Sequence, residues 1–255
     1  MTGAAEPEVR LPGWCRLVRA DNPSLMTLEG TNTYLIEAED GLVVVDPGPL
    51  HETHLQRVAG AGPVVLTLLT HGHPDHAEGA ARFHEITGAP VVAHDPARCI
   101  GGPTLVEGPV LARGLQVETL DTPGHTSDSV CFVVDDGSER AVLTGDTVLG
   151  RGTTVVAHPD GALAPYLDSL RRIVDLGAVT LLPGHGPLRP DAAGLAAEYL
   201  THREERLDQV RRARDAGATT AADVVRVVYA DVDPVLWPAA ELSVRAQLDY
   251  LDAFA

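Results

Sequence analysis

Within six positions the chain places His71, His73, Asp75 and His76, as His71-Gly72-His73-Pro74-Asp75-His76. Neutral imidazole and carboxylate are the donors that hold zinc and similar divalent ions. His71 and His73, two apart in an extended loop, can point to one side and share an ion. Asp75 and His76, further round the turn, can face a second ion. A loop that is His-rich by chance is the competing reading. Four ligand-type residues in six positions, set directly behind the apolar run 64–69, weigh against it.

A metal site also needs donors from elsewhere in the chain, and three turns offer one each. Thr122-Pro123-Gly124-His125, Thr144-Gly145-Asp146 and Leu182-Pro183-Gly184-His185 each follow a strand-like segment and present one His or Asp behind small or rigid residues. Strand termini are where sites on sheet frameworks commonly form. Any one of these turns alone would read as ordinary; with the first motif they form a set. The other histidines, His51, His54, His84, His94, His158 and His202, show no metal spacing, and His202-Arg203 reads as a packing pair between domains. No Ser-His-Asp or Cys-His constellation competes as nucleophile, which leaves metal-activated water as the attacking group.

Positioning these residues requires a framework of strands. Residues 33–37 and 41–46 are β-branched runs divided by Glu39-Asp40-Gly41, which reads as a hairpin. The apolar run 64–69 fits a strand buried on both faces. A helix is predicted over 77–87, ended by Gly88, and a strand at 91–93. Further strands are predicted at 115–120, 130–134 and 141–143, the last two joined through Asp135-Asp136-Gly137. A helix over 166–176 stops at Gly177, before a strand at 179–182. Strands arriving in two sets with helices between them imply an α/β fold of four-layer αββα type: two packed sheets with helices outside. From Asp191 the strand signal fades, and helices are predicted over 195–214, 219–229 (capped by Thr219 or Thr220) and 239–254. The chain therefore divides into a catalytic domain, residues 1–190, and a small helical domain, residues 191–255.

These residues carry a resemblance. His71-Gly72-His73-Pro74-Asp75-His76, then His125, Asp146 and His185 in this order, resemble the full ligand set of the metallo-β-lactamase-fold superfamily. The resemblance implies that His71, His73 and His125 hold one metal, that Asp75, His76 and His185 hold the other, and that Asp146 bridges them. It implies two Zn²⁺ per chain, with iron or manganese as alternatives, and a metal-bridging hydroxide as nucleophile with Asp75 and Asp146 as the catalytic carboxylates. Asp46-Pro47-Gly48 matches a further landmark, in which the Asp orients a ligand from behind. Thr31-Asn32-Thr33-Tyr34-Leu35, the run from Gly145 to Thr154, Tyr166-Leu167-Asp168-Ser169-Leu170 and His202-Arg203-Glu204-Glu205-Arg206 are similar to the branch named for lactamase-beta-like protein two. Glyoxalase II is a more distant likeness. The branch implies a C-terminal winged-helix-like domain, in agreement with the division at 190. The chain stops at Ala255 soon after the last predicted helix, so the wing and basic tail that touch nucleic acid are expected to be missing. Asn32, Tyr34, Thr126, Ser127 and Arg151 are candidate substrate contacts; Arg151, between Gly150 and Gly152, is the best placed for an anion, since guanidinium suits carboxylate or phosphate.

Composition narrows the partners. The formal charge is −17 and every Lys/Arg position is Arg, a usage that suggests a GC-rich bacterial genome. A protein so acidic repels polyanions at long range, which disfavours nucleic acid. No apolar run approaches the roughly 20 residues that span a bilayer, and Glu6, Pro7, Glu8 and Arg10 stand where an export signal needs apolar residues. The three cysteines, Cys15, Cys99 and Cys131, are too scattered for a disulfide framework, so a cytoplasmic setting is expected. A homodimer is the default oligomer.

Four readings follow. A zinc hydrolase of a small or carrier-bound acyl substrate (thioester, lactone or related ester) fits the acidic charge. An endoribonuclease or phosphodiesterase fits the branch resemblance. A mononuclear iron oxygenase shares the scaffold but needs one redox metal. A non-catalytic metal-stabilised module predicts eroded ligands, whereas all seven are present.

Overall fold

The computed structural model of the chain describes residues 9–113 and 115–253. Glu6, Pro7 and Glu8, which bear on an export signal, and Phe254, in the last predicted helix, lie outside the described residues. The elements in order are β1 (Cys15–Arg19), β2 (Asn32–Ala38), β3 (Gly41–Val45), α1 (Glu52–Ala59), β4 (Val64–Leu68), α2 (Pro74–Ala77), α3 (Ala80–Thr87) and β5 (Val91–Val92). There follow β6 (Gly108–Arg113), β7 (Leu115–Asp121), β8 (Val130–Asp135), β9 (Arg140–Gly145), α4 (Leu163–Asp175), β10 (Thr180–Pro183), α5 (Ala192–Asp215), α6 (Ala221–Val228) and α7 (Trp237–Ala253).

One sheet has the order β1-β2-β3-β4-β5, the other β10-β9-β8-β7-β6. Strands β3, β4 and β5 run parallel. Strand β7 is antiparallel to β8 and β8 to β9, so β7 and β9 point the same way, and β10 joins β9 in parallel. The C-terminal ends of β3 and β4 therefore share one edge of the first sheet. Those of β7, β9 and β10 share one edge of the second.

Side chains alternate faces along a strand, so each sheet needs apolar cover on both sides. Tyr34, Ile36, Val43 and Val45 of the first sheet meet Phe132, Val134 and Leu143 of the second to form the central core. The outer face of the first sheet, Leu35, Leu42 and Val44, packs on Leu55 and Val58 of α1 and Phe83 of α3. The outer face of the second, Cys131, Val133 and Val142, packs on Tyr166, Leu170 and Ile173 of α4. The result is the expected αββα sandwich. Each fully buried Leu or Phe in it contributes roughly 2–3 kcal/mol.

Helix α5 links this sandwich to the C-terminal helices. Its first half seats Ala192, Ala196 and Tyr199 in the core of the second sheet and α4. Its last turns carry Val210 and Ala213 into a separate cluster with Val224 and Val225 of α6 and Val244 of α7. Thr220 caps α6 in a reciprocal capping box with Asp223, one of the two caps expected. Among the described residues no strand follows residue 190, and no helix is long and apolar enough to cross a membrane.

Several elements depart from the sequence reading. Strands β1 and β6 and helix α1 lie in segments without a clear period. The helix predicted over 77–87 is two helices, because Gly79 N–H donates to the Gly48 carbonyl at 2.9 Å and the helical ladder is interrupted there. Helix α4 starts at Leu163, one turn before the expected 166. In β4 only Thr67 and Leu68 are buried, while Val64 to Leu66 are half-buried beside exposed Pro63.

His54 of α1 sits beneath the turn that follows β3. Its Nε2 bonds Thr33 Oγ1 at 2.9 Å, and its Nδ1 accepts from Arg57 at 3.2 Å. Burial, aided by Arg57, pushes its pKa down to about 4, against about 6.5 in the unfolded chain. Below the unfolded value the unfolded chain takes up the proton while folded His54 stays neutral, so stability is lost as pH falls from about 6.5 towards 4. Denaturant titrations at pH 7 and pH 4.5 are expected to show His54→Gln losing less stability than the wild type on acidification, by up to about 2 kcal/mol. Equal losses in the two proteins would contradict this assignment.

Candidate metal centre

Five strand ends meet at one rim of the sandwich. β3 ends at Asp46, β4 runs into the 70–76 loop, and β7, β9 and β10 lead to His125, Asp146 and His185. Two donor groups form there: His71, His73, His125 and Asp146, and beside them Asp75, His76 and His185. Within each group the donor atoms lie within 4.8 Å of one another. In the first, His73 Nδ1 is 3.1 Å from His71 Nε2 and 3.0 Å from His125 Nε2. In the second, His185 Nε2 is 3.1 Å from His76 Nε2 and 3.0 Å from Asp75 Oδ2. Asp146 faces both groups, with Oδ2 3.8 Å from His125 Nε2 and Oδ1 3.4 Å from His76 and His185.

The outward nitrogens explain this convergence. Asp46 is buried and accepts from Thr70 N–H at 2.8 Å with Oδ1, and from the Thr70 hydroxyl at 2.7 Å and His76 Nδ1 at 2.8 Å with Oδ2. With its proton given to Asp46, Thr70 Oγ1 accepts from His71 Nδ1 at 3.0 Å. His125 Nδ1 donates to the Val155 carbonyl at 2.6 Å. The outer ring N–H groups of His71, His76 and His125 are thus spent on the protein, and their other ring nitrogens face inward. Two glycines make room. Gly145 has φ +48° and a side chain there would lie 2.5 Å from Thr70 Oγ1; one at Gly184 would lie 2.6 Å from Asp146 Oδ1.

This donor set fits a divalent cation. The inward nitrogens of His71, His73 and His125 converge at about hydrogen-bond distance, and buried Asp146 Oδ1 has no hydrogen-bond partner. Electrostatics agree. Burial pushes His71 and His125 below the ordinary imidazole range. Burial opposes charge on His76 and His185 too, but Asp146 and Asp46 together raise His76 well above that range, and Asp146 and Asp75 together raise His185 to about 9. Burial would raise Asp146, yet His185 and His76 hold it well below the usual carboxylate range. Positive charge is favoured between Asp146, His76 and His185, and an arriving cation would displace the protons there.

The remaining sequence candidates separate. Asn32 and Tyr34 are buried, not open to a substrate. Asn32 Nδ2 donates to the Pro183 and Gly186 carbonyls at 3.0 Å, and Tyr34 OH donates to the Pro183 carbonyl at 2.8 Å. Both therefore position the loop that carries His185. Thr126 is also buried, its hydroxyl held by Asp128 at 2.7 Å and Ser129 at 2.6 Å. Ser127 is exposed at the mouth of a polar cleft, bonded to Asp160 at 2.6 Å. Arg151 is exposed beside Asp146 but paired with Glu29 at 2.6 Å. Arg203 packs the helices onto the sandwich, lying over the Tyr166 ring and donating to the Thr154 carbonyl.

Two clefts flank the donor cluster. The polar one, about 610 Å³, includes His73, His94, Arg98, Ser127 and Asp160. The other, about 400 Å³, reaches from His125 and Asp146 to the turn after α6 and the start of α7, past Leu28, Leu149, Val155, Tyr229 and Leu236. Sequence reasoning missed Thr70 as the relay between Asp46 and His71, and it missed the apolar cleft. The first carried the signal of standing directly before the motif; the second, assembled from three distant segments, carried none.

Comparison with known proteins gives a consistent picture. The family described as Metallo-beta-lactamase superfamily matches residues 26–185, and that described as Beta-lactamase associated winged helix domain matches residues 220–253. Beta-lactamase-like protein 2 homolog of Drosophila melanogaster is 33% identical over 258 residues, spanning 91% of this chain and 85% of its own. Atrochrysone carboxyl ACP thioesterase of Aspergillus chevalieri is 34% identical over 237 residues, spanning 85% and 74%. Among solved structures, a metallo-β-lactamase family protein from Thermus thermophilus aligns with a TM-score of 0.78 at 21% identity, over 96% of this chain and 95% of its own, a likeness of fold.

If Asp46 orients the donors, its replacement weakens the site without emptying it. Chelator competition is expected to show Asp46→Asn binding Zn²⁺ roughly 10–100-fold more weakly than the wild type, with the fold intact by circular dichroism. An unchanged affinity would remove Asp46 from that role.

Proposed function

We propose, on the premise that this chain belongs to the metallo-β-lactamase superfamily as a hydrolase, that it cleaves an acyl thioester, lactone or related ester with two divalent ions bound, zinc by preference. In this reading His71, His73 and His125 hold one ion and Asp75, His76 and His185 the other, with Asp146 between them. Two such ions, when bound, lower the pKa of a shared water and polarise the oxygen that gains charge.

The chain's own residues do the rest. Asp146 presents one carboxylate oxygen to each donor group, which fixes their separation. Asp75 is about a quarter exposed, at the edge where attacking water enters, and can take its proton. The Asp46–Thr70–His71 and Asp46–His76 bonds hold the imidazoles in register, so little reorganisation accompanies the reaction. Catalysis falls to residues 1–190, and residues 191–255 roof the cleft.

The observation that carries the acyl reading is the largely apolar cleft that begins at His125 and Asp146. An acyl chain satisfies such a surface; a phosphodiester backbone leaves it unmatched. The thioesterase named among the relatives points the same way. The ribonuclease reading rests on the branch resemblance, and a charge of −17 opposes it.

The zinc-loaded protein is expected to turn over acyl N-acetylcysteamine thioesters and to leave single-stranded RNA intact. EDTA is expected to abolish this turnover, and Asp146→Asn to lower kcat/KM by more than about 100-fold, beyond what loss of an outer partner costs. Two metals per chain by elemental analysis would accompany activity. Metal-dependent RNA cleavage without thioester turnover would overturn the proposal, and one iron per chain would point to an oxygenase.

A further inference from the structure

We infer that the C-terminal helices act as a ruler for the acyl chain, a proposal that rests on the acyl-hydrolase reading and adds to it where the chain goes and what limits its length. The cleft has three walls from distant parts of the sequence. Leu25, Met26 and Leu28 come from the loop between β1 and β2. Leu149 and residues 151–155 come from the loop after Asp146. Tyr229, Leu236, Ala239 and Ala240 come from the turn between α6 and α7 and the start of α7.

Helix α5 sets the depth. Thr154 bonds His125 through its hydroxyl and receives the Arg203 guanidinium at its carbonyl. One turn further along α5, Arg206 lies 4.4 Å over the Tyr229 ring. Arg203 and Arg206 stand one helical turn, about 5 Å, apart, and the contacts at either end add a few ångströms, so the path from His125 to Tyr229 is on the order of 10 Å. Its volume, about 400 Å³, suits a small ligand, and Tyr229, Leu236, Ala239 and Ala240 line it from the C-terminal helices and the turn between them.

The lining selects an uncharged chain. Each arginine that borders the cleft is already engaged: Arg151 with Glu29, Arg203 with Thr154, and Arg206 with the Val228 carbonyl at 2.6 Å. At the mouth, Leu25 is 60% and Met26 52% exposed, an apolar lip in solvent that a bound chain would cover. The polar cleft on the His73 side then receives the thiol or alcohol half of the substrate.

Two measurements test the ruler. For N-acetylcysteamine thioesters from butanoyl to dodecanoyl, kcat/KM should rise about two- to fourfold per methylene until the cleft is full, near octanoyl, and then level off. Ala239→Phe, which fills the cleft from α7, should lower the octanoyl-to-butanoyl ratio at least about tenfold. Leu236→Ala should move the plateau to longer chains. In parallel, calorimetry of the corresponding N-acetylcysteamine alkyl thioethers, which cannot be hydrolysed, should give the same length dependence on the metal-free protein. Thioester turnover that is indifferent to length, in wild type and variants alike, would overturn the ruler and leave the hydrolase reading intact. Length-dependent thioether binding without turnover of any acyl substrate would do the reverse. Thioether affinity independent of length would also overturn the ruler, whatever is hydrolysed.

Discussion

The Asp46 carboxylate is the contact on which the rest of the site depends. Its backbone stands at φ 53°, a left-handed conformation that is costly for a residue with a side chain, though less so for Asp than for most. What holds it there is a full set of partners: Thr70 N–H, the Thr70 hydroxyl and His76 Nδ1. Through them one buried group ties the end of β3 to the loop after β4 and to α2. The adjoining turn reinforces the tie, since Gly48 N–H donates to the His76 carbonyl at 3.0 Å and Gly79 N–H to the Gly48 carbonyl at 2.9 Å. An imidazole from each donor group thus takes its orientation from a single side chain. The interruption of the helix at Gly79 is the local cost of that arrangement.

Asp46 governs only the first sheet, and the donors of the second must arrive at the same point. Polar bonds between the sheets fix this at the rim, where apolar packing ends. Val130 N–H donates to the Thr70 carbonyl at 2.8 Å and Asn32 N–H to the Gly184 carbonyl at 2.8 Å. Asn32 and Tyr34 add side-chain bonds to Pro183 and Gly186. Because all these groups are buried, leaving one unpaired would cost roughly 1–3 kcal/mol. The rim is therefore as strongly specified as the core, although it is nearly all polar.

That physical difference decides what could be read from sequence. The seven donors were legible because ligand chemistry restricts residue type and because each donor follows a strand and a small-residue turn. The central strands were legible from their apolar runs, and α5 from its length. Strand β1, CRLVR, and strand β6, with Gly108 and Pro109 at its start, lie at sheet edges where solvent relaxes the pattern. Helix α1 is only eight residues long and polar on one side. Asn32 and Tyr34 have the residue types of substrate contacts, and only the partner loop, some 150 residues away, reveals their other use. The apolar cleft was not legible because no segment of it is complete in itself.

The charge balance of the rim shows why so acidic a protein can host this centre. Asp46, Asp75 and Asp146 bring three carboxylates to a place where burial penalises each of them. In the protein alone, charge on His76 and His185 offsets two of the three. Two divalent cations in the same donor set would exceed all three, so the centre would pass from slightly negative to slightly positive as the imidazole protons leave. In the proposed reading such a centre would stabilise negative charge developing on an oxygen, as acyl transfer to water requires. The surplus is local, enclosed by an acidic surface that screens it from polyanions. In the proposed reading an uncharged acyl substrate would meet no such barrier, and the apolar cleft that Asp146 lines would give it a way in.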